Sequence, residues 1–125
     1  MPFLTELDTR YIGNGRNRLR GDLIYEYLPA KVVIAEKNFV TDFASIPRLF
    51  RAIITGQDNT KRGAVIHDYL YLFQPEGVTR RYADGIMLMA MLEGPDEMRV
   101  SKWKAYMVYY GVRMGGWVAW NRYKK

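Results

Sequence analysis

The chain has no cysteine and only one histidine among its 125 residues. The first absence excludes disulfide scaffolds and thiolate metal sites, and it fits a reducing compartment or a virus particle. No stretch approaches the ~18 consecutive apolar residues of a spanning helix. The N-terminal MPFLTELDTR lacks a long apolar core and carries acids early, so it does not read as a secretory signal. Repeats and low-complexity runs are missing too. With 49% hydrophobic residues, the chain can build a core, and nothing suggests wholesale disorder. Its length points to a single domain over residues 1–125. Within it we distinguish a β-rich half (1–58), a helical half (59–116) and a basic aromatic tail (117–125).

Acid is what the last quarter lacks. Residues 1–60 hold 8 basic and 7 acidic side chains, while residues 61–125 hold 11 and 6, which divides the net +6 into +1 and +5. After Glu97 no acid occurs, whereas Arg99, Lys102, Lys104, Arg113, Arg122, Lys124 and Lys125 do. All three tryptophans lie in the same stretch. Such a segment suits an anionic partner.

Gly13-Asn14-Gly15 is a strong turn signal. DLIYEYL (22–28) and KVVIAEKNFV (31–40) flank Pro29-Ala30, and their β-branched and aromatic residues predict a β-hairpin. TDFASIPR (41–48) is a loop, and LFRAII is ambiguous between helix and strand. Thr60 is a candidate cap for a helix over 61–73. Thr79 is one for a helix over 80–92, and Asp96 for a third over 97–114, stopped by Gly115-Gly116. WVAWNRYKK reads as a short strand or ordered tail. The predicted class is α+β: a small N-terminal antiparallel hairpin or sheet packed on about three C-terminal helices. Short loops make the first two helices antiparallel neighbours.

The histidine, His67, lies in AVIHDYLY. On a helix it shares a face with Tyr71, at i+4, and Asp68 flanks that face. An antiparallel second helix brings Asp84 towards the imidazole. A carboxylate there fixes the tautomer and leaves the other nitrogen to take a proton from water. The bland alternatives are a structural histidine, a solvated Asp68, and an Asp84 that serves its own helix dipole. In the preceding loop, Asp42 suits a turn cap. It could also join Asp68 as a second cation ligand. Ser45 could act as a nucleophile with His67 as base, although it lacks the Gly-x-Ser-x-Gly context. Arg48 could pair with Asp68 or Asp84 in a buried ion network.

TDFASIPR, AVIHDYLY and RRYAD together resemble a family of small phage and prophage proteins of unknown function, over about residues 32–115. That resemblance implies a phage origin and a place in the virion or the host cytoplasm. His67-Asp68-x-x-Tyr71 followed by Ala83-Asp84 is similar to the active-site helix pair of phospholipases A2, the cysteine-free viral-capsid type above all. This second resemblance implies His67 as the base for water, Asp84 and Tyr71 as its support, and Asp68 as a Ca²⁺ ligand. It also implies that backbone carbonyls of YIGNG, around Gly13 and Gly15, complete the calcium shell. Here that loop stands over fifty residues before His67, where the family's stands closer. The His67-to-Asp84 interval is also shorter than in the viral enzymes.

Trp103, Tyr106, Met107 and Tyr110 follow helical spacing and read as core. Trp117, Trp120, Arg122 and Tyr123 read as an interface. A protein partner ranks first, such as another phage structural protein; an anionic host envelope or membrane surface ranks second, and nucleic acid third. An oligomer is compatible with this. Two functions compete. One is a phospholipase A2-like His/Asp hydrolase acting on the host cell envelope. The other is a non-catalytic virion, tail or assembly component whose His/Asp cluster is a buried network. A host-directed binding protein is a lesser third.

Overall fold

Gly13, Asn14 and Gly15 all take positive φ (93°, 56° and 73°), a left-handed turn that glycine and asparagine adopt most readily. The turn closes a hairpin between β1 (Thr9–Gly13) and β2 (Arg16–Leu19). β2 also pairs antiparallel with the short β5 (Val40–Thr41), giving a three-stranded sheet of order β1-β2-β5. The expected second hairpin joins β3 (Leu23–Leu28) to β4 (Lys31–Ala35) through Pro29-Ala30, with Ala30 at φ 63°. Leu23, Tyr25, Val33 and Ala35 point inwards and Val32 and Ile34 outwards, as the period of two requires. The computed structural model describes residues 3–43, 45–51, 59–93 and 99–124.

The helices are α1 (Arg48–Arg51), α2 (Asn59–Phe73), α3 (Arg80–Leu92), α4 (Lys102–Gly115) and α5 (Trp117–Tyr123). The α+β arrangement is as expected. α2 is buried nearly all round, from Arg62 to Asp68 and again at Leu70 and Tyr71. It therefore forms the central rod, covered by β3–β4, α3 and α5. One apolar cluster joins the β3–β4 hairpin to α2 and α3, and a second joins Ile46, Met87 and Met91 to Val108 and Val112 of α4. α2 and α3 run antiparallel. Among the described residues, no helix is long and apolar enough to cross a membrane.

Three expectations about boundaries are corrected. Thr60 is not a cap, because it lies inside α2 and is fully buried. The third long helix starts at Lys102, with Ser101 at the N-cap, rather than at Glu97. The Asp96 cap lies outside the described residues. The tail is the helix α5, not a strand. Gly116 takes right-handed helical angles (φ −70°, ψ −17°); it caps the end of α4 and opens α5 directly after it. Its glycine serves close approach: a Cβ there would stand 2.6 Å from the Tyr71 hydroxyl and 2.5 Å from the Val112 carbonyl.

Gly63 makes a second close approach, where a Cβ would lie 3.0 Å from Met91 Cγ and 3.3 Å from the Met87 carbonyl. Gly63→Val is expected to force α2 and α3 apart. It should lower stability by about 1–3 kcal/mol in urea unfolding, without changing the m-value.

Candidate functional site

Thr79 caps α3, accepting from the Tyr82 amide at 3.1 Å. That fixes the start of the helix and sets Asp84 one turn after Arg80, facing α2. His67 Nε2 meets Asp84 Oδ1 at 2.6 Å, and the Tyr71 hydroxyl donates to the same oxygen at 2.6 Å. The second oxygen, Oδ2, accepts from Arg113 Nη1 of α4 at 2.7 Å and lies 3.7 Å from Arg80 Nη1. Arg80 in turn donates to the Val112 and Arg113 carbonyls (3.0 and 3.2 Å), the last turn of α4. His67, Tyr71 and Asp84 are all 0% exposed.

Burial alone pushes the Asp84 carboxyl up. The hydrogen bonds from His67, Tyr71 and Arg113, with attraction to His67, outweigh it and hold the group below the ordinary aspartate range. Asp84 is thus ionised and accepts only, so His67 carries its proton on Nε2. Burial, then the neighbouring Asp84, pushes the Tyr71 phenol far up, which keeps it a donor.

The other imidazole nitrogen faces the loop before α1. His67 Nδ1 lies 2.8 Å from Ser45 Oγ, which is also buried. The Ser45 amide donates to Asp68 Oδ1 at 3.1 Å, and the Thr41 hydroxyl donates to Asp68 Oδ2 at 2.7 Å. Thr41 Oγ1 also accepts from the Phe43 amide at 3.2 Å, so Thr41 closes this turn. Burial raises the Asp68 carboxyl most, and the charge of Asp42 adds to this, against the bonds from Thr41 and Ser45. The Ser45 hydroxyl has one proton and two acceptors, His67 Nδ1 and Asp68.

Of the residues picked from the sequence, the fold brings His67, Asp84, Tyr71, Asp68 and Ser45 into one buried cluster. Asp42 is exposed at its edge. Gly13 and Gly15 form the turn of the first hairpin, and Asp68 takes its partners from Thr41 and Ser45. The side chain of Arg48 lies outside the described residues. Of the expected interface residues, Trp120 and Tyr123 are partly buried. Trp120 packs edge-on against Tyr71 at 5.1 Å, and both rest on the first cluster. Trp117 and Arg122 are exposed. Sequence reasoning missed Thr41, Arg80 and Arg113. The i, i+4 spacing of Arg80 and Asp84 signals the second of these, whereas nothing local signals Arg113.

The cluster contains a hydroxyl–imidazole–carboxylate chain, Ser45–His67–Asp84, in the order a nucleophile, base and orienting acid would take. Among the described residues it has no opening to solvent: His67 and Asp84 are 0% and Ser45 1% exposed. Both ring nitrogens are occupied, and the Ser45 amide, the usual donor to an oxyanion, is committed to Asp68. Among the described residues, no group of three or more His, Cys, Asp or Glu side chains could hold a metal ion. Each oxygen of Asp68, the expected calcium ligand, accepts a hydrogen bond from the protein. A family model described as a protein of unknown function, DUF1353, matches residues 17–112. No curated protein and no solved structure matches.

Asp84→Asn is expected to cost about 3 kcal/mol or more at neutral pH, because it leaves buried donors without their charge. The folded-state pKa of Asp84 is depressed, so its stabilisation is present above the ordinary value of 3.8 and fades as pH falls below it. The gap between wild type and Asp84→Asn, measured by urea unfolding, should therefore be widest near neutrality and narrow only in that acid range. Asp68 works in the opposite sense: its pKa is raised, so its ionisation opposes folding as pH rises through 3.8.

Proposed function

We infer, for a chain that belongs to the DUF1353 family of proteins of unknown function, a role as a non-catalytic component of a phage particle or of its assembly. The phage setting rests on the resemblance of TDFASIPR, AVIHDYLY and RRYAD to small phage and prophage proteins. The non-catalytic role rests on one observation: His67 is 0% exposed, with both ring nitrogens held by Ser45 and Asp84. A general base must present one nitrogen to water or substrate, and this one presents neither. The cluster instead fastens four segments together, namely the TDFASIPR loop, α2, α3 and α4.

A second reading has its own observation in its favour, the 2.8 and 2.6 Å links of the Ser45–His67–Asp84 chain. If the Thr41–Ser45 turn lifted, Ser45 would become a nucleophile with His67 as base and Asp84 as orienting group. The substrate class would be a cell-envelope ester, phospholipid included.

Two measurements separate these readings. A fluorophosphonate probe should leave Ser45 unlabelled, and anionic vesicles should show no lipid turnover, with or without added calcium. His67→Gln and Ser45→Ala should each lower unfolding stability by ~1–3 kcal/mol, the cost of stranding a buried partner. Labelling of Ser45, or turnover lost in Ser45→Ala at unchanged melting temperature, would overturn the non-catalytic role. The chain should also be found in purified particles at a fixed ratio to their other proteins.

A further inference from the structure

α4 is apolar on two opposite sides. Ala105, Val108, Gly111 and Val112 are buried. Trp103, Tyr106, Met107, Tyr110 and Met114 occupy an arc of about 100° on the far side. There Trp103 is 68%, Tyr110 58% and Met114 74% exposed. A helix that is hydrophobic all round is normally buried all round. Trp, Tyr and Met are also the types that concentrate at protein contacts. The charges of this helix have one sign: Lys102 at the start of the stripe is exposed, and α4 carries Lys and Arg but no acid.

The complement lies elsewhere on the same molecule. A groove of about 560 Å³ runs between the β3–β4 hairpin and the α2–α3 turn. That is within the ~300–1,000 Å³ of clefts that hold substantial groups. Val33, Leu70 and Ile86 line its apolar part. Asp22, Glu36 and Glu76 line it as well, are all exposed, and meet no Lys or Arg among its described lining residues. An acid-rimmed apolar groove and a base-flanked aromatic helix are complementary in shape and in charge.

We propose that the α4 stripe of one copy docks into the acid-rimmed groove of a second copy. Trp103, Met107 and Tyr110, spaced i, i+4 and i+7, enter the groove as a row of side chains. No described groove residue belongs to α4 or α5, so each copy keeps one free stripe and one free groove. The contact is head-to-tail and not self-complementary, and it propagates to a closed ring or an open row. This inference rests on the assembly reading and names the partner within it.

Sedimentation velocity and native mass spectrometry of the whole chain test it. Wild type should give species larger than dimers as concentration rises. Tyr110→Glu, which spoils the stripe, and the double variant Glu36→Lys/Glu76→Lys, which spoils the groove, should each be monomeric. All three positions are exposed, and circular dichroism checks that both variants fold. Mixed together, they should form a one-to-one dimer that grows no further, because one supplies a groove and the other a stripe. A wild type that stays monomeric at its highest soluble concentration would overturn the proposal. So would growth that stops at a symmetric dimer, or variants that do not pair. Binding to phosphatidylglycerol vesicles that Tyr110→Glu abolishes, without self-association, would overturn it in favour of a lipid surface. None of these failures touches the presence of the chain in particles or the unlabelled Ser45, by which the assembly reading stands or falls separately.

Discussion

The Asp84 carboxylate is the point on which the rest of the structure turns. It sits fully buried and ionised, and it is tolerable there because three donors and two cations surround it. Each of those partners comes from a chosen place. His67 and Tyr71 fix the register of α2 against α3. Arg113 draws in α4 from 29 residues away. Arg80 binds both Asp84 and the end carbonyls of α4, so the same guanidinium closes the helix that supplies Arg113. Removing the carboxylate would strand every one of these groups together.

His67 passes that constraint on to the N-terminal half. Its Nε2 proton goes to Asp84, which leaves Nδ1 for the Ser45 hydroxyl. Ser45 and Thr41 then hold Asp68, the next residue of α2. Thr41 is also the last residue of β5, which pairs with β2. A continuous polar path therefore runs from the three-stranded sheet, through the middle of the central helix, to α4. Buried paths of this kind favour one arrangement over near alternatives, since each half-made version leaves an unpaired group in an apolar setting. Among the described residues, no buried side-chain nitrogen or oxygen lacks a partner. In the same cluster both imidazole nitrogens of His67 have protein partners. The unsatisfied part of the molecule is apolar instead, on the outer face of α4.

Much of this was legible in the chain. Turn chemistry marked the Gly13-Asn14-Gly15 turn, and the β-branched and aromatic residues flanking Pro29-Ala30 placed the β3–β4 hairpin. Thr79 and the apolar spacing placed α3, and the four-residue step from His67 to Tyr71 placed both on one face of α2. Gly115-Gly116 ended α4 as expected, while the chain resumes as a second helix, and the close approach of the Tyr71 hydroxyl to Gly116 is visible only in the fold. The aromatic spacing of α4 put Trp103, Tyr106, Met107 and Tyr110 on one side, but the expectation that this side is core is corrected, because all four are exposed. Ala105, Val108, Gly111 and Val112 took the inner position, because small residues let α4 approach the rest of the fold closely.

The sequence by itself determined the class of fold, the β3–β4 hairpin, the helices α2 and α3 and the residues able to form a His–Asp pair, because these follow from local periods and local backbone preferences. Only the tertiary structure decided that Ser45 takes the second imidazole nitrogen, that Arg113 completes Asp84, that Trp120 packs against Tyr71, and that His67, Ser45 and Asp84 are buried. Those outcomes depend on contacts between segments far apart in the chain: 22 residues for Ser45 and His67, 29 for Arg113 and Asp84, and more for Trp120 and Tyr71. No local pattern encodes them, because burial and hydrogen-bond partnership are properties of the packed chain.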